Sequence, residues 1–68
     1  MALGQRIRKL RIQRNIDQKQ FAFDCGVSRT QLHLIEKGAG NPRLGTLMKI
    51  AESFEMSFSE LVSLDDHT

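Results

Sequence analysis

The sequence predicts an all-α domain of five short helices, and three observations carry that expectation. Apolar residues recur at helical spacing, as with Leu3, Ile7 and Leu10 at i, i+4 and i+7. Val, Ile and Thr never cluster with a period of two, so no segment reads as a strand. Three stretches share one form of helix start, a capping residue followed three positions later by Gln or Glu. They are Asp17-Gln18-Lys19-Gln20, Ser28-Arg29-Thr30-Gln31 and Ser57-Phe58-Ser59-Glu60. Each stands just after a break, and together they partition the chain.

The first helix is expected over about 3–14, with Gln5, Arg6, Arg8, Lys9, Gln13 and Arg14 on its polar faces and Asn15-Ile16 ending it. A second covers about 18–25 and turns Phe21, Ala22 and Cys25 inward. Gly26 stops it, in a place suited to left-handed backbone. The third runs over about 29–37, with Leu32 and Ile35 inward and Gly38 as its stop. Residues from Gly38 to Pro42 then form a loop rich in helix breakers. A fourth helix covers about 44–54, with Leu44, Leu47, Ile50, Ala51 and Phe54 on its buried side, and a fifth covers about 58–64. The last four residues are expected to fray. No repeat, low-complexity segment or linker interrupts the pattern, so residues 1–68 read as a single domain.

Sixty-eight residues provide one small core. A single cysteine allows no internal disulfide, and His33 and His67 are too few and too far apart to build a zinc framework. Good helices, a partner subunit, or both must hold such a chain. No apolar run exceeds three residues (Phe21 to Phe23 is one), and the N-terminus lacks the features of a signal peptide. A soluble, intracellular, cytoplasmic protein with no membrane partner is the expectation. Cys25, on an inward face, reads as a small core residue rather than a redox sensor. Paired carboxylates, a Ser-His-Asp set and a phosphate-cradling loop are all missing, so no catalytic residue, cofactor, metal or small-molecule ligand is expected.

The formal net charge of +2 sums two unlike parts. Residues 1–49 carry all ten Lys and Arg against Asp17, Asp24 and Glu36, a net of +7. Residues 50–68 carry five carboxylates and no Lys or Arg, a net of −5. The basic part suits a polyanion and the acidic part is repelled by one. The alternative is a solvated basic helix face with an acidic tail. Residues 18–37 hold two helices separated by a short break around Gly26-Val27, the arrangement of a helix-turn-helix. Its second helix projects Arg29, Thr30 and His33 at its N-terminal end. Gln18 and Ser28 stand at helix N-termini, where they either contact phosphate or serve only as caps and surface.

Gln18-Lys19-Gln20-Phe21-Ala22, Gly26-Val27-Ser28-Arg29, Leu32, Ile35-Glu36-Lys37-Gly38, Asn41-Pro42, Leu44, Thr46-Leu47 and Ile50-Ala51 carry a resemblance. Over roughly residues 3–62, nearly gapless, the chain resembles the Cro/repressor (XRE-like) type of helix-turn-helix transcriptional regulator. The resemblance implies a compact five-helix, lambda-repressor-like DNA-binding domain with the third helix in the major groove of double-stranded DNA. It further implies that Gln18 bonds a phosphate and that Arg29 and Thr30 face base edges, Arg29 taking a guanine. His33 and Leu34 would lie along the groove, Arg43 would approach the backbone or minor groove, and Lys37 and Asn41 would meet phosphate. Arg11 and Glu36 fall where the family pairs its first and third helices.

Departures from the pattern carry information too. Leu34 replaces a polar base-contacting residue and can touch a thymine methyl but cannot hydrogen-bond. Phe23 replaces a charged residue, and either tucks against the body or marks a contact surface. Arg43 stands in place of a Ser or Thr cap, and Gly45 weakens the turn that follows. Phe54, Met56, Phe58, Leu61, Val62 and Leu64 crowd into eleven residues, more than one short helix buries. Phe58, Val62 and Leu64 are therefore expected at a homodimer interface. A sequence-specific regulator binding a two-fold symmetric operator is the leading reading, as a phage-type repressor, restriction-modification controller or antitoxin-like protein. A protein-interaction adaptor built on the same fold is the alternative.

Overall fold

The computed structural model describes residues 2–63. Five helices follow one another: α1 Ala2–Gln13, α2 Gln18–Cys25, α3 Arg29–Lys37, α4 Leu44–Ser53 and α5 Phe58–Val62. Among the described residues there is no strand. Leu64, expected at the end of the fifth helix, lies outside the described residues, and α5 itself stops at Val62 because Ser63 is extended.

Local chemistry explains most of the boundaries. Ser28 and Ser57 each accept from the amide three residues on, while Gln31 and Glu60 accept in return from the cap's own amide. The third expected box closes on one side only. Asp17 accepts from the amides of Lys19 and Gln20, but the Gln20 side chain turns away and donates to Asp24 Oδ1 at 3.0 Å. An i, i+4 partner along the helix competes successfully with the backward reach. Gly26 and Gly38 close α2 and α3 at φ 74° and 80°, where a side chain is disfavoured. Asn15 turns the chain after α1 at φ 56°, a conformation asparagine tolerates better than most.

α1 packs on α3 and α5, α2 packs on α3 and α4, and α4 packs on α5. Between them lies one core of Leu3, Ile7, Phe21, Ala22, Cys25, Leu32, Ile35, Ile50, Ala51, Phe54 and Leu61. Phe21 and Phe54 stack at its centre with ring centroids 4.8 Å apart. The Cys25 thiol is buried there against Ser53, and that burial pushes its pKa up, so it stays protonated at neutral pH.

Leu44 departs from expectation. It is 60% exposed instead of buried. Six residues at the helical angle set it about 120° around α4 from Ile50, off the stripe that meets α2 and α5. Met48, one turn on, shares that outer flank and is 53% exposed. Phe23 does not tuck against the body either, being 80% exposed on α2.

Candidate nucleic-acid interface

Only Gly26, Val27 and Ser28 separate α2 from α3, and the Val27 amide donates back to Ala22 O at 3.0 Å. So short a turn forces the two helices to cross steeply. Leu32, Ile35 and Glu36 face inward on α3, which leaves Arg29, Thr30, His33, Leu34 and Lys37 on its outer face. Gln31 is also exposed, but its side chain is committed to the Ser28 cap.

The expected contact residues gather into two surface depressions. Gln18, Arg29, Thr30 and His33 line a shallow hollow of about 340 Å³. Leu34, Asn41 and Arg43 line an open groove of about 300 Å³ between α3 and the loop before α4, together with Val27, Pro42 and Thr46. Ser28 sits beside both as the cap of α3, and Lys37 lies at the far end of α3 and lines neither. Arg43 occupies the cap position of α4 but makes no side-chain cap bond. Among the described residues, no group of three or more His, Cys, Asp or Glu is placed to hold a metal ion.

A line of hydrogen bonds runs from α1 to the tip of α3. Arg11 Nε donates to Glu36 Oε2 at 2.7 Å, and its Nη2 donates to Glu36 Oε1 at 3.1 Å. Gln18 Nε2 donates to the same Oε1 at 3.2 Å, and Gln18 Oε1 accepts from Arg29 Nε at 3.3 Å. Both ends of the Gln18 amide thus have a partner inside the protein, and one Nε2 hydrogen is not used by these two bonds. Arg29 spends only Nε in this line, and its two terminal nitrogens remain for a planar acceptor outside. Sequence reasoning found the Arg11–Glu36 pairing through the resemblance but not the Gln18 bridge. Nothing local signals a bond between residues 18 positions apart.

Residues 7–61 match the model of the Helix-turn-helix family. The chain belongs to that family, in its Cro/repressor type. Its members are DNA-binding transcriptional regulators, not enzymes. Over 58 residues it is 36% identical to the cryptic phage CTXphi transcriptional repressor RstR of Vibrio cholerae, a match covering 85% of this chain and 52% of that protein. It is 30% identical over 63 residues to the control protein C.BamHI of Bacillus amyloliquefaciens, covering 91% and 78%. The crystal structure of the restriction-modification controller protein C.AhdI from Aeromonas hydrophila superposes with a TM-score of 0.81 at 32% identity, covering 87% and 89%. The chain therefore spans about half the length of RstR and most of the two controllers.

The basic charge of this helix-turn-helix domain divides into two uses. Arg6 donates from Nε to Leu61 O and from Nη2 to Glu60 O, both at 3.0 Å, and so satisfies carbonyls at the end of α5. Arg14 does the same for α4, donating to Phe54 O at 2.6 Å while its guanidinium lies 5.1 Å from the centre of the Phe54 ring. Arg11 donates to Ile16 O at 2.9 Å besides holding Glu36. Three of the arginines counted toward a polyanion are thus tied into the fold. Arg8, Lys9, Lys19, Arg29, Lys37, Arg43 and Lys49 are the exposed remainder. No helix in the described residues is long and apolar enough to cross a membrane.

Proposed function

We propose that this chain is a cytoplasmic, sequence-specific transcriptional regulator that binds a two-fold symmetric DNA operator as a homodimer, with α3 in the major groove. One observation carries the reading: α3 turns Arg29, Thr30, His33, Leu34 and Lys37 outward together, next to a hollow that Gln18 completes. An exposed helix face of that composition offers a bidentate donor, a hydroxyl, an imidazole and a methyl-sized apolar group, the set that distinguishes base pairs in the major groove. The likeness to a restriction-modification controller over 89% of its length supports a regulator of that kind.

A salt titration of duplex binding tests the proposal. The logarithm of affinity should fall linearly with that of salt, with a slope of about −0.9 per phosphate neutralised. Lys37→Ala should weaken binding to all duplexes alike and flatten that slope by about one unit. Arg29→Ala should instead relax the choice of one base pair and cost about 1–3 kcal/mol on the preferred sequence alone. Equal losses on every sequence would reduce Arg29 to a phosphate contact. Absence of affinity for any duplex at low salt sinks the proposal and favours the adaptor reading, which rests on the exposed Phe23 and Leu34.

The homodimer reading rests on α5 and its neighbourhood. Phe58 and Val62 are only half-buried on α5, which packs against α1 and α4. A two-fold pairing through this end would present two α3 helices roughly 34 Å apart, one turn of DNA. Phe58→Glu is expected to yield monomers in sedimentation. A dimer that survives it places the interface elsewhere.

A further inference from the structure

We infer that the outer face of α2 is a self-association surface, on which a second copy of this chain docks antiparallel through Phe23. Phe21, Ala22 and Cys25 face the core, which leaves Lys19, Gln20, Phe23 and Asp24 on the outside. None of these four lines the hollow or the groove beside α3. Phe23 is 80% exposed, the most exposed large apolar side chain of the described residues. One exposed apolar residue is ordinary by itself, but the surroundings of this one are shaped to receive its own kind.

Beside the ring, Asp17, Lys19, Gln20 and Phe23 line a hollow of about 430 Å³. A projecting ring next to a hollow is self-complementary, because a two-fold operation seats each ring in the other copy's hollow. Charge then selects the direction and the register. An antiparallel pairing that sets Phe23 level with the second copy's Gln20 also sets Lys19 level with the second copy's Asp24. A parallel pairing would set lysine against lysine and aspartate against aspartate instead. Gln20 Nε2 donates to Asp24 Oδ1 at 3.0 Å, and Oδ2 remains for the incoming ammonium. The surface is separate from the pairing proposed through α5, since α2 packs on α3 and α4 while α5 packs on α1 and α4. Eight residues make α2 about 12 Å long. One face of so short a helix covers far less than the roughly 1,200 Å² of a stable specific interface, so the contact is weak and fills only at high protein concentration.

Sedimentation equilibrium of the whole chain over a rising concentration series tests the inference. The parent should show a self-association step that Phe23→Ala weakens at least about tenfold, the worth of burying one aromatic ring. Phe23→Glu should abolish that step. The position is exposed, so both variants should melt as the parent does, which separates a lost contact from a lost fold. Carbodiimide, which joins an amine to a carboxylate with no spacer, reads the register. In a mixture of isotope-labelled and unlabelled parent it should link Lys19 of one copy to Asp24 of another. A parent without the step, as when the face serves an unlike protein, overturns the inference. A step that both variants leave intact overturns it too, and so does a populated step whose links join other residues. No readout involves DNA, so the outcome is independent of the regulator proposed above.

Discussion

Glu36→Ala is expected to lower stability by about 3–5 kcal/mol, the range for removing one partner of a buried ion pair. Glu36 is 3% exposed, yet it carries a charge in the wall of the core. Arg11 meets both its oxygens and Gln18 meets one, so the carboxylate is well satisfied. Taking it away leaves the Arg11 side chain, itself 11% exposed, with the Ile16 carbonyl as its remaining partner at 2.9 Å. A surface pair would cost about 0–1 kcal/mol, but burial removes the water that would otherwise solvate the orphaned cation. Domains of this size have only about 3–10 kcal/mol in total. A urea titration should therefore show most of that margin gone. Replacing both partners with apolar residues, Arg11→Met with Glu36→Leu, should cost far less than Glu36→Ala alone. A Glu36→Ala midpoint equal to the parent's would refute the buried pair as a structural necessity. Any folded Glu36 variant also frees Gln18, and with it the Arg29 side chain, so base discrimination at the Arg29 position should soften alongside stability.

Gly4→Ala should destabilise by about 1–3 kcal/mol, although helix propensity alone favours it by about 1 kcal/mol. The conflict is settled by what a Cβ meets. At Gly4 it would collide with the Ile35 carbonyl oxygen and come within 3.0 Å of Glu36 O and 3.2 Å of Glu36 C. All three atoms are backbone and cannot swing aside. The glycine lets α1 lie directly on the last turn of α3, and any side chain there must pry apart the contact that Leu3, Ile7 and Ile35 seal. Gly45→Ala provides the control, because nothing lies within 4 Å of its Cβ position. That change should stabilise the exposed first turn of α4 by about 0.5–1 kcal/mol. Thermal melts read both, since 1 kcal/mol moves the Tm of so small a domain by about 4–8 °C. Two glycine substitutions of the same sign would defeat the packing argument.

The positions of the helices were legible because their causes are local. A serine cap and its partner three residues on act within one turn, and so does the glycine that closes a helix. The outer face of α3 was equally legible, since Leu32 and Ile35 define the inner one. Legibility failed where two local options compete or where an apolar residue stands at the edge of a stripe. Gln20 had two partners in reach and took Asp24. Leu44 had the right spacing for burial but the wrong azimuth for the helices that α4 meets.

By itself, then, the sequence determined the all-helical pattern, the helix-turn-helix and the set of side chains that α3 presents, because periodicity and capping are short-range. Tertiary structure alone decided which charges are available and which glycine is indispensable. Arg11, Arg14 and Arg6 reach partners 25, 40 and 55 residues away, and no local rule ranks a guanidinium for a distant carbonyl above one for solvent. Gly4 looks like a weak spot in a helix until α3 lies across it. Burial sets the strength of a charge and proximity sets the worth of an absent side chain, and both exist only once the chain has closed on itself.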